Sequence, residues 1–169
     1  KELKARLEAN GLQANAGKTK AISFGRYERE NAQSQERKAN TFDFLGITHY
    51  IGISRLGKFK VGRKTSQNRF SRSCVVMNRW LATIRNKLPL KEWWNQLKAK
   101  MKGHYAYYGV SDNSESLYAY YEQVKKMVYK WMNRRSQRKS MGWDKFNDYI
   151  KRYPMPTPRI MHKFYVCSV

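Results

Sequence analysis

The chain has 169 residues and carries 35 Lys+Arg against 12 Asp+Glu, a formal net charge of +23. Such an excess points to a polyanionic partner, because phosphates neutralise the self-repulsion, while 41% hydrophobic and 14% aromatic residues exclude a disordered basic tail. No run approaches the ~18 apolar residues of a spanning helix and no secretory leader is evident, so no membrane partner and a cytoplasmic location are expected.

The chain opens at Lys1 without a Met and already in a helical pattern, KELKARLEANGL, so it reads as a piece of something longer. Residues 1–10 are a short helix with Asn10-Gly11 as its C-cap. KAISFG (20–25) alternates at period two and reads as a strand. RYERENAQSQERKAN (26–40) is polar without periodicity and reads as an exposed loop. FDFLGITHYIGIS (42–54) resumes β character, Arg55-Leu56-Gly57 turns, and KFKV (58–61) returns as the second half of a hairpin.

From Thr65 the period becomes helical. Phe70, Cys74, Met77, Leu81, Ile84 and Leu88 stay within a stripe of about 80°, with Thr65 or Ser66 as cap and Pro89 as stop. A second helix takes Leu90, Trp94, Leu97, Met101, Tyr105 and Tyr108 on one face and ends at Gly109. Its Ala99, Gly103 and Ala106 form a small-residue stripe that would admit another helix. Tyr105 and Tyr108 therefore read as core, while His104 and Tyr107 point less clearly inward. A third helix starts after Ser111-Asp112-Asn113, where Asp112 and Glu115 have the spacing of a capping box. Its stripe is Leu117, Tyr121, Val124, Val128 and Trp131, and it closes in the basic run NRRSQRKS (133–140). A short fourth helix spans Trp143 to Arg152, and Pro154, Pro156 and Pro158 then force an extended path. The fold class is α+β: a small β-hairpin segment followed by a mainly α bundle of three or four helices, with the boundary near residues 62–66.

No enzyme centre is visible. Asp43, Asp112, Asp144 and Asp148 form no evident metal pair, and NAGKT (15–19) lacks the leading glycine of a phosphate-binding loop. Cys74 and Cys167 have no metal-ligand spacing and read as reduced thiols. The basic residues are densest at 63–110, where Glu92 is the single acid. Lys58, Lys60, Arg63 and Lys64 at the hairpin exit are the first candidates for RNA binding, followed by Arg69, Arg72 and Arg79 on the first bundle helix. Lys98 and Lys102 on the second helix and Arg134, Arg135, Arg138 and Lys139 after the third complete the cationic set, with Tyr107 as a ring on which an unpaired base could stack.

In order, GLQANAGKTKAISFG, FDFLGITHY, FKVGRKTSQNRF, WLATIRNKLPLKEWWNQLKAKMKGHYAYYGVSDN and WMNRRSQRKSMGWDKFNDYIKRYPMPTPRIMHKFY resemble the C-terminal part of bacterial group II intron-encoded reverse transcriptases with maturase activity. The resemblance covers essentially the whole chain. It implies that residues 1–62 are the C-terminal palm edge with the sixth and seventh conserved blocks. It makes 63–135 the thumb, or maturase domain X, and 136–169 a basic C-terminal extension able to contact DNA. Gly11, Leu12, Lys18 and Thr19 match the sixth block, and Lys18 would inherit the role of proton donor to the leaving pyrophosphate; the alternative is a loop cation. Phe44, Leu45 and Gly46 match the primer grip. The family implies structured intron RNA, an RNA/DNA template–primer and a DNA target as partners, together with the upstream fingers and palm. It also implies Mg²⁺ in the intact polymerase, with no cofactor held by this chain. The Tyr-x-Asp-Asp stretch is absent, so the chain should not polymerise alone. A free-standing RNA-binding scaffold is the alternative reading.

Overall fold

The computed structural model describes residues 2–15, 17, 19–134 and 140–164, and the chain divides into two units, 1–40 and 41–169. The breaks expected at 62/63 and 135/136 both fall inside the second unit.

In the first unit, α1 (Glu2–Ala9) ends as expected. Gly11 has φ +69°, its N–H bonds the Glu8 carbonyl, and the Leu12 N–H reaches back to the Leu7 carbonyl. That pair of bonds satisfies carbonyls the helix leaves open. Residues 20–25 form no strand, because a strand needs a partner ladder and none is present among the described residues of this unit. Ser23 instead gives its carbonyl to the Asn40 side chain. The expected loop contains a helix, α2 (Glu28–Ser34), whose buried face consists of the Glu28 carboxylate and the small Ala32 one turn on. Glu28 is buried, ion-paired to Arg37 at 2.6 Å, and accepts the Asn40 N–H. The hydrogen bond from Arg37 lowers its pKa from 4.5 to about 2, against the opposing effect of burial.

The second unit opens with an antiparallel sheet of β1 (Phe42–Phe44), β2 (Ile47–Ile53) and β3 (Phe59–Thr65), in that order. The run read as one strand is thus folded in two at Leu45-Gly46, where both φ angles are positive (50° and 79°). A two-residue hairpin turn of this kind matches the strand twist. Tyr50 pairs with Gly62 across the sheet, and a Cβ at position 62 would collide with the Tyr50 ring.

Four helices follow: α3 (Gln67–Ile84), α4 (Leu90–Tyr108), α5 (Ser114–Asn133) and α6 (Trp143–Arg152). Met77, Leu81, Trp93, Trp94, Leu97, Met101, Tyr105, Tyr108, Leu117, Tyr120, Val124, Val128, Phe146 and Met155 share one core. The helical stripes therefore meet as the periodicity requires, with Trp93 and Tyr120 buried in addition. The small-residue stripe behaves otherwise: Ala99, Gly103 and Ala106 are exposed, and nothing lies within 4 Å of a Cβ built on Gly103. These residues lie about 200° round the helix from Leu97 and Met101, on the side away from the core.

The capping box does not form. Asp112 has φ +70° and pairs with Lys60 at 2.6 Å, leaving Asn113 as the α5 N-cap. Asn113 is fully buried; its Oδ1 accepts the Thr65 N–H at 2.7 Å, and its Nδ2 donates to Thr65 Oγ1 and the Tyr108 carbonyl. One side chain thereby ties β3 to the end of α4 and the start of α5.

Residues 154–164 return along an extended path to the end of α4. The N–H groups of Met161 and His162 both bond the Gly109 carbonyl, and the Ser111 N–H bonds the His162 carbonyl. A Cβ on Gly109 would meet the carbonyls of Tyr105 and Arg159. Among the described residues no helix is long and apolar enough to cross a membrane.

Candidate nucleic-acid interface

Two sets of residues far apart in sequence meet at the β1–β2 turn. Phe44 and Leu45 are 61% and 68% exposed, so neither side chain is held by the core. Leu45 nevertheless occupies the left-handed region, which costs a residue with a Cβ of the order of 1 kcal/mol. The Tyr107 hydroxyl donates to the Leu45 carbonyl at 2.9 Å, and the Tyr107 ring sits edge-on to Tyr108. Gly46 completes the turn where the Arg69 side chain crosses it: a Cβ there would lie 2.9 Å from Arg69 Cγ and 3.4 Å from the Tyr108 hydroxyl. Burial raises the Tyr108 pKa, with Tyr107 adding to the rise and Arg69 opposing it, so the phenol stays protonated. The turn, Arg69 and Tyr107 therefore form one surface with two apolar side chains, one guanidinium and one ring. Tyr107 was expected as a stacking platform; its hydroxyl is a strut, and its ring remains 55% exposed.

The hairpin cations have mixed settings. Lys58 is exposed near the β2–β3 turn and Lys60 is half-buried in its pair with Asp112. The Arg63 guanidinium lies 4.6 Å over the Phe164 ring and the Lys64 ammonium 5.6 Å from the centre of Tyr50. Arg69, Arg72 and Arg79 on α3 and Lys102 on α4 are exposed, and Lys98 is half-buried. α3 contains no acidic residue and α4 only Glu92. Lys18, Arg135, Arg138, Lys139 and Cys167 lie outside the described residues.

A cationic cluster surrounds Trp131, and of its members the sequence pointed to Arg134 alone. Arg85, Lys130 and Arg134 place their charges 4.7, 5.1 and 5.5 Å from its ring, while the indole N–H donates to Asn78 Oδ1. Like charges gathered at a ring face gain from its quadrupole, and an anion would relieve their mutual repulsion. Lys130 and Arg134 flank Trp131 at i−1 and i+3, a spacing visible beforehand; Arg85 arrives from the C-cap position just after α3.

A cleft of about 570 Å³ lies between the sheet and the first turns of α3 and α5, lined by Asp43, Thr48, Lys64, Gln67, Asn68 and Glu115 among others. The Asp43 carboxylate accepts the Thr48 hydroxyl. Among the described residues no three His, Cys, Asp or Glu side chains come together to hold a metal. They therefore offer no set that fits the Mg²⁺ ions implied for the intact polymerase. No known protein family, curated protein or solved structure matches the chain.

Proposed function

We propose that this chain is the C-terminal portion of a group II intron-encoded reverse transcriptase/maturase, combining the palm edge, the thumb and a C-terminal extension. Acting in the cytoplasm, it grips structured intron RNA for splicing and holds the template–primer, and the DNA target, during retrohoming. Catalytic aspartates and their Mg²⁺ would come from the upstream fingers and palm. The observation that carries the reading is the β1–β2 turn. The segment resembling a primer grip is an exposed, strained hairpin turn, and the Tyr107 hydroxyl and Arg69, both on helices of the bundle, meet it. A turn that keeps an exposed Leu in the left-handed region spends stability on presenting that side chain. Cations on α3, α4 and around Trp131 support backbone-dominated binding of RNA.

Two measurements test this. Affinity for a folded intron RNA should fall roughly 10³- to 10⁵-fold between 50 and 200 mM salt if about 6–10 phosphates are neutralised; a flat response contradicts the reading. Adding a fragment that bears Tyr-x-Asp-Asp should restore primer extension. RNA binding without any such recovery would instead favour a free-standing RNA scaffold.

A further inference from the structure

Away from the β1–β2 turn, α3, α4 and α5 line an open slot of about 190 Å³ bordered by Val76, Met77, Trp80, Lys100, His104 and Tyr120. We propose that this slot receives a single unpaired nucleobase of the bound RNA, a subsite distinct from the Tyr107 surface; the proposal rests on the RNA-binding reading above.

Its size is the first argument. Drug-sized pockets run from about 300 Å³ upward, so this one suits a single flat group. The walls are the second. His104 stacks on Tyr120 with centroids 3.7 Å apart and planes within 14°, Trp80 is half-buried, and Met77 closes the floor at 4% exposure. His104 and Tyr120 cover one face of each other, so the partly exposed Trp80 is the ring offered to a base. Stacking accepts any base, because every base has a π-face. The third is an unmet polar group. His104 Nε2 is buried without a hydrogen-bond partner, and burial lowers the imidazole pKa to about 4. The ring is therefore neutral near pH 7 and carries one donor and one acceptor nitrogen, which is what the edge of a base can complement.

Charge settles the choice between a base and an apolar peptide side chain. The Lys100 ammonium sits 5.1 Å from the centre of the Trp80 ring that lines the slot, positioned for the phosphate of the inserted nucleotide. Arg72 and Arg79 are exposed on the α3 face that carries Val76, four residues before it and three after. A peptide would need no such collar of cations.

The test uses the full chain and two RNA hairpins, identical except that one carries a single-nucleotide bulge with 2-aminopurine at the unpaired position. Wild-type protein should bind the bulged hairpin roughly tenfold more tightly and quench its fluorescence, the effect of stacking one base. Ser73→Leu, which fills the slot with aliphatic bulk from its half-buried lining, should bring both hairpins to parity. It should leave affinity for the paired hairpin within about twofold and the thermal unfolding cooperative. Trp80→Leu should act in the same direction. Equal wild-type affinity for the two hairpins overturns the proposal, and so does a preference that survives Ser73→Leu, which would place the base on another ring. An apolar peptide displacing the fluorescent base better than a mononucleotide would also overturn it. If neither hairpin binds at low salt, the RNA-binding reading itself has failed, a result separable from the loss of bulge preference alone.

Discussion

The Tyr107 hydroxyl donates to the Leu45 carbonyl at 2.9 Å, joining residues 62 positions apart at the exposed end of α4 and the tip of a hairpin. The bond secures a turn whose own backbone geometry is unfavourable. Tyr107→Phe should lower unfolding free energy by about 0.5–1.5 kcal/mol, the usual net value of one hydrogen bond. It should also raise amide exchange at Gly46 and Ile47. Unchanged exchange in the turn would show that the hydroxyl contributes nothing to holding it.

Leu45 itself gives the opposite expectation. Because it is exposed with φ +50°, Leu45→Gly removes backbone strain of about 1 kcal/mol and little packing. The variant should be as stable as wild type or slightly more so in urea titration, yet hold a template–primer several-fold less tightly. A parallel loss of stability and binding would mean the leucine serves the fold instead.

Asn113 is the most demanding polar residue of the second unit. Its three hydrogen bonds go to groups at the end of β3 and the last turn of α4. Asn113→Ala strands the Thr65 N–H in a buried setting and should cost about 2–4 kcal/mol, measured as a lower urea midpoint at unchanged slope. A loss below 1 kcal/mol would show that water replaces the side chain.

His104 makes stability depend on pH. Burial against Tyr120 lowers its pKa from 6.5 to about 4, so the unfolded chain binds a proton more readily between those values. Its stabilising contribution is complete above pH 6.5 and is lost as pH falls toward 4, amounting to on the order of 3 kcal/mol. Lys100 on the same helix and Tyr120 from α5 face the site. Burial raises the Tyr120 hydroxyl pKa, so that group stays protonated throughout this range. Urea midpoints measured from pH 7 to pH 4 should fall steeply for wild type and much less for His104→Gln. Identical profiles would assign the acid sensitivity to other groups.

The four helices of the second unit were legible because each carries a long apolar stripe whose period survives packing. The β1–β2 turn was not, since Phe42–Ser54 holds no Asn-Gly or Asp-Gly signal and a leucine at positive φ leaves no trace in composition. α2 was missed because its anchor is the Glu28 carboxylate, which reads as solvent-facing until Arg37 folds back over it. The Asp112–Glu115 spacing misled for a related reason: Lys60, 52 residues away, claims the aspartate. Of the interface, α3's exposed arginines could be placed from helical geometry alone. The meeting of Tyr107 with Leu45, and of Arg85 with Trp131, depends on tertiary packing that no local pattern encodes.

Gly109 lies where the closing turn of α4 and the returning segment pass too closely for any side chain between them. This couples two stretches of sequence about fifty residues apart in evolutionary terms. In related chains, a bulkier residue at this position should coincide with a rerouted or missing stretch at 159–162, whereas lineages that preserve the strap should retain the glycine. The pair would then drift together, inherited or discarded as one unit.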